Sequence, residues 1–112
     1  MKEIRVRCWI ENDGEKLFGL GPAQLLKLIE QEGSIAAAAK HMKMSYKKAW
    51  DIINHLNNTL NEPVVISQKG GSKGGGASLT DMGKKLIHAF DDLNLKLQAT
   101  LEENREILAL LD

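Results

Sequence analysis

Ser34 and Ser45 bracket the four consecutive alanines Ala36 to Ala39, and this spacing constrains the chain more than any other feature. A serine oxygen accepts from the open amides at a helix start, so each serine predicts a helix N-terminus. Between them there is room only for a short helix, Ile35 to Met42, whose alanines favour the helical state and let a neighbour approach closely. After a break of two or three residues, Ser45 opens a longer helix from Tyr46 to about Leu60. Ala49, Ile52, Ile53, Leu56 and Leu60 follow helical spacing and are expected to face the core, while Lys47, Asp51, Asn54 and Asn58 form a polar opposite face.

The flanks add strands. Ile4, Val6, Cys8 and Ile10 alternate with Arg5, Arg7 and Trp9, which predicts a strand with one buried face. Asn12, Asp13 and Gly14 supply a turn, and Lys16 to Phe18 return as a second strand. Gly21 and Pro22 predict the cap and first position of a helix with Leu25, Leu28 and Ile29 as its apolar stripe and Gly33 as its end. Pro63 stops the longer helix, and Val64 to Ser67 pairs with Ala77 to Thr80 across the loop Gln68 to Gly76. Thr80 then caps a last long helix carrying Leu86, Phe90, Leu93, Leu97, Leu101, Leu108 and Leu111. The expected fold is α+β: a winged helix-turn-helix over residues 1–80, with an N-terminal β-hairpin and a wing at 64–80, then a C-terminal dimerisation helix over 81–112.

A chain of 112 residues accommodates one core, and 43% hydrophobic with 27% charged residues is a globular composition. Fifteen basic and fifteen acidic side chains give zero net charge, but they are segregated. Residues 1–39 hold five basic and six acidic side chains, residues 40–85 eight and three, and residues 86–112 two and six. The +5 middle segment can face a polyanion while the −4 tail stays away from it.

Helix-turn-helix order gains chemical weight from what the second helix offers at its start: Ser45, Tyr46, Lys47, Lys48, Trp50, Asp51 and Asn54. Lysine donates to guanine, asparagine bonds adenine at two points, aspartate accepts from cytosine, and a serine hydroxyl bonds phosphate. Ser34 stands at the corresponding place in the first helix. Between the wing strands, Lys69, Ser72 and Lys73 lie among five glycines, a composition that lets backbone amides approach phosphates. The plainer alternatives are a solvated helix face with a Lys47–Asp51 pair, and a flexible linker. A nucleotide-binding loop fails because Gly74 follows Lys73 where serine or threonine is required.

Other chemistry finds no support. His41, His55 and His88 share no metal-ligand spacing with one another or with Cys8, so no metal or cofactor is expected. Asp51 and His55 are four apart, far more often a surface contact than an acid-base pair, and no nucleophile motif accompanies them. An enzyme is not expected. A lone cysteine excludes an internal disulfide and suggests a reducing, cytoplasmic compartment. No signal peptide or membrane-length apolar run is present, so no membrane partner is expected.

The stretches GSIAAAAKHMKMSYKKAWDIINHLN, GGSKGGGASLTDMGKKLI and RCWIENDGEKLFGLGPAQLLKLI resemble the N-terminal DNA-binding domain of ModE-type molybdate-responsive transcription regulators, over residues 4 to about 90. More distantly, Ser34 to Leu56 and LTDMG resemble the LysR-type winged helix-turn-helix. The resemblance implies a homodimer paired through its long helix, with double-stranded DNA as partner. It carries DNA-contacting roles to Ser45, Tyr46, Lys47, Trp50 and Asp51 and to Lys69 through Gly76. The dimer face is expected at Leu86, Phe90, Leu93, Leu97, Leu101 and Leu108. Typical family members continue into a molybdate-binding region, so molybdate binding is not expected of these 112 residues. A competing expectation is an interaction module that pairs with another regulator without touching DNA.

Overall fold

A computed structural model describes residues 1–68 and 76–112. It begins with a short antiparallel hairpin, β1 (Ile10–Asn12) and β2 (Glu15–Phe18). Asp13 and Gly14 both have positive φ, 50° and 84°, the requirement of a two-residue turn whose twist suits a hairpin. The ladder reaches back only to Ile10, so the expected strand from Ile4 is corrected: a four-residue return strand leaves residues 4–9 with no ladder partner. Their alternation survives in part, with Ile4 and Cys8 half-buried but Val6 exposed.

Helix α1 (Leu20–Glu32) starts earlier than Gly21–Pro22 suggested, with Gly19 as its cap. Pro22 is its third residue, still within the first turn, where a missing amide hydrogen breaks no helical bond. Gly33 ends it in the left-handed region at φ 75°, donating its N–H to Ile29 O at 2.8 Å. Ser34 caps α2 (Ile35–His41) by accepting from Ala37 N, and Ser45 caps α3 (Tyr46–Thr59) by accepting from Lys48 N. Lys43, at φ 57°, makes the sharp turn between them.

The wing strands are β3 (Val65–Gln68) and β4 (Gly76–Leu79), antiparallel, with Val65 opposite Leu79 and Gln68 opposite Gly76. Thr80 caps α4 (Asp81–Glu103), and its hydroxyl also donates to Pro63 O at 2.6 Å. At Gly83 the helix passes so close to the Val64 carbonyl that a Cβ would overlap its oxygen. The expected single helix through Leu111 is instead broken at Asn104–Arg105, with a short α5 (Glu106–Leu110) beyond. Asn104 amide hydrogen bonds turn back onto α4, its side chain to Thr100 O and its N–H to Leu101 O, and this local competition ends the helix.

One core joins these elements. Phe18, Leu25, Leu26, Ile29, Leu56 and Val64 are its largest fully buried side chains. Phe90 from α4 meets Phe18 edge-on, ring centroids 5.1 Å apart, and Lys27 pairs with Asp91 at 2.8 Å alongside. The first three turns of α4 therefore belong to the same core as the helix-turn-helix. The architecture is a winged helix-turn-helix with an N-terminal hairpin and a long C-terminal helix. Among the described residues no helix is long and apolar enough to cross a membrane.

Candidate nucleic-acid interface

Helix α3 turns Ala49, Ile53 and Leu56 into the core, which forces the rest of its circumference outward. Ser45, Tyr46, Lys47, Lys48, Trp50, Asp51 and Asn54 are all exposed, on the first two to three turns of the helix. Tyr46 and Trp50, four apart, leave 55% and 45% of their surface in solvent. The sequence-selected residues of this helix thus share one continuous surface. Ser34 stands apart at the start of α2, half-buried, its oxygen accepting from Ala37 N at 2.9 Å.

Lys47 Nζ lies 3.1 Å from Asp51 Oδ2, the pairing that a merely solvated face would also make. The two accounts do not compete energetically. An exposed pair four residues apart is worth about 0.3–0.5 kcal/mol, against about 1–3 kcal/mol for a good base-edge contact, so the pair can open when a base is offered. Ser45 Oγ is engaged by Lys48 N at 3.0 Å, which leaves its own hydrogen free to donate.

The base of the wing is tied to the C-terminal end of α3, and there Ile66, Ser67 and Gln68 are exposed. Lys69, Ser72 and Lys73 lie outside the described residues. One residue that the sequence reasoning missed joins the two parts: Asn57, half-buried near the end of α3, accepts from Val64 N at 2.8 Å and donates to Val65 O at 3.1 Å. The signal was present. Position 57 continues the core register of Ala49 and Ile53, and a polar side chain there needs a partner.

Of the residues expected on a dimer face, Phe90 is corrected: it is 3% exposed, held in the chain's own core by Phe18. Leu86 is partly buried against that core. Leu93 is exposed, and Leu97, Leu101 and Leu108 are half-buried. The sequence reasoning passed over Leu95, Ile107 and Leu110, which are more exposed than any of these. Val6 and Cys8 border a shallow groove with Leu97, and Lys2 reaches Asp112 at 3.2 Å, so the N-terminal segment runs beside the C-terminal helices. Among the described residues no group of three or more metal-ligating side chains comes together.

No protein-family model matches the chain. It is 44% identical over 85 residues to a molybdenum transport protein ModE of Azotobacter vinelandii, covering 76% of this chain and 32% of that protein. A molybdenum-pterin-binding protein MopB of Rhodobacter capsulatus is 46% identical over 81 residues, 72% of this chain and 30% of its own length. A DNA-binding transcriptional dual regulator ModE of Escherichia coli is 46% identical over 67 residues, 60% and 26% of the respective chains. This chain thus spans under a third of the length of these relatives. Among solved structures, an S. aureus MepR mutant superposes with a TM-score of 0.59 at 20% identity, covering 81% of this chain and 71% of that one, a likeness of fold. By sequence, over 60–76% of its length, the chain is similar to part of proteins named ModE and MopB.

Proposed function

We propose that this chain is a ModE-type DNA-binding unit, a non-enzymatic transcription regulator that binds double-stranded DNA sequence-specifically as a homodimer. The observation that carries this reading is the uncovered face of α3, where Lys47, Lys48, Trp50, Asp51 and Asn54 stand exposed. A helix presenting donors and acceptors from its first turns is the kind that enters a major groove. Similarity to regulators named ModE supports the same role, and the LysR-like pattern of Ser34 to Leu56 supports the same docking geometry. Lys69, Ser72 and Lys73 are assigned to phosphates, as are Ser34 and Ser45. A cytoplasmic location follows from that function.

The homodimer is assigned to the distal part of α4, with Leu93, Leu97 and Leu101, together with Leu108 of α5. The apolar surface left on these helices motivates it. Binding by the purified protein to duplex DNA, followed by fluorescence anisotropy across a salt series, tests the reading. Affinity is expected to fall steeply with salt as counterions are released. No salt-dependent retention of any duplex removes the reading and leaves the rival, an interaction module that pairs through its C-terminal helices. The Lys47–Asp51 pair, which lowers the net charge of the α3 face, is what favours that rival.

A further inference from the structure

We propose that Asn57 is a positioning residue that fixes the wing at a set distance from α3, so that helix and wing engage DNA as one rigid unit. The inference rests on the DNA-binding reading above and adds to it a coupling between its two halves. Asn57 lies one turn beyond Asn54 on α3, half-buried where Asn54 is exposed, and its carboxamide is engaged by Val64 and Val65. Its carboxamide accepts from Val64 N at 2.8 Å and donates to Val65 O at 3.1 Å. A primary amide has both a donor and an acceptor, so one side chain holds two successive residues at the entry to β3 against the end of α3.

The ladder explains why this place on β3 is free to be held. Thr80 N donates to Val64 O at 3.0 Å, one half of a hydrogen-bonded pair, while the Val64 N–H goes to Asn57 instead of to Thr80 O. Hydrogen-bonded and non-hydrogen-bonded pairs alternate along an antiparallel ribbon, so Val65, opposite Leu79, directs its carbonyl away from β4. Asn57 Nδ2 takes that outward carbonyl. The second strand is held from another direction: Ala77 N donates to Gly33 O at 2.9 Å, and a Cβ at Gly76 would stand 3.2 Å from the same oxygen. Thus β3 is tied to the recognition helix and β4 to the turn that precedes α2. A two-stranded ribbon alone is marginally stable, and its angle to the helix would otherwise be soft.

A substitution that merely weakened the fold would reduce DNA affinity whatever the wing did. The proposal makes a narrower demand, that Asn57 acts through the wing. The experiment is a double-mutant cycle on the full chain. One arm is Asn57→Leu, similar in size and unable to bond Val64 or Val65. The other replaces residues 69–75 with Asn-Gly, a two-residue link that suits the pairing of Gln68 with Gly76. If the shortened hairpin fails to fold, Lys69→Ala with Lys73→Ala replaces that arm.

With the wing intact, Asn57→Leu is expected to weaken binding to a selected duplex about tenfold. In the wing-shortened or wing-neutralised background it is expected to change binding less than about twofold, because there is no wing contact left to misplace. Asn57→Asp, which keeps the acceptor for Val64 N but sets a carboxylate oxygen against Val65 O, should weaken binding with the wing intact and, like Asn57→Leu, have little effect without it. Equal loss in both backgrounds would show a structural role only and overturn the proposal, as would unchanged binding by Asn57→Leu with the wing intact. Wild-type protein that binds no duplex removes the DNA-binding reading and this coupling together, a result distinct from either of those.

Discussion

Helices α3 and α4 both bury one side and leave another uncovered, yet the uncovered sides differ in kind. On α3 the open face is lysine, aspartate, asparagine and two half-exposed aromatics. Water satisfies the polar groups of such a face, so its exposure costs little and partner binding is optional. On distal α4 and α5 the open face includes Leu93, Leu95, Ile107 and Leu110, the last two 50% and 81% exposed. At about 25 cal/mol per Å² of apolar surface, several wet leucines disfavour the lone chain by several kcal/mol. On the proposed reading, the first face meets a hydrated polyanion that comes and goes, and the second meets another copy of the chain that stays.

Substitutions on each side break or sharpen that contrast. The largest effect belongs to the covered side of α4: Phe90→Ala, removing the partner of Phe18, should lower unfolding free energy by about 3–5 kcal/mol in urea titration. Leu95→Ala, on the open side, should cost well under about 1 kcal/mol of subunit stability. Equal effects would dissolve the distinction between the two ends of the helix.

Next comes the dimer. Leu93→Lys with Leu97→Lys should lower the dimerisation free energy by about 3 kcal/mol or more and give monomers by sedimentation, with helical circular dichroism retained because neither leucine is a buried core residue. A double variant that remains dimeric would move the interface elsewhere. On α3, Lys47→Ala or Asp51→Ala should weaken binding to a selected site by about 1–3 kcal/mol and barely alter binding to random duplex. A matching loss on both would reassign these side chains to phosphate. The smallest effect is expected from Lys73→Ala, which should weaken all sequences alike and make the salt slope shallower by about one unit. An unchanged slope would take Lys73 off the DNA.

Local chemistry was the part of this fold most legible in sequence. Ser34, Ser45 and Thr80 each accept from the amide three residues on, as capping residues should, and Gly33 ends α1 in the left-handed region that its type favours. Errors arose where a local pattern met a distant partner. Ile4 to Cys8 alternates like a strand, but alternation does not specify which strand will pair with it, and β2 is too short to reach that far. Phe90 follows the leucine periodicity of α4, yet periodicity alone does not reveal that Phe18 claims it from another element. The α3 face was legible because helical spacing determines which residues share a surface. That a polar Asn57 in the core register needs a partner was legible too, but which partner was not, because Val64 and Val65 lie at the entry to β3, across a turn whose path the sequence does not spell out.

The central claim is that two copies place two α3 faces on one duplex. Hydroxyl-radical footprinting of the wild-type protein on a selected duplex tests it most directly, with chain stoichiometry measured on the same complex. The account predicts two chains per duplex and two symmetric protected regions whose centres lie about 34 Å apart, one helical turn. One chain per duplex with a single protected region, or no protection at concentrations where the protein is dimeric, would contradict it.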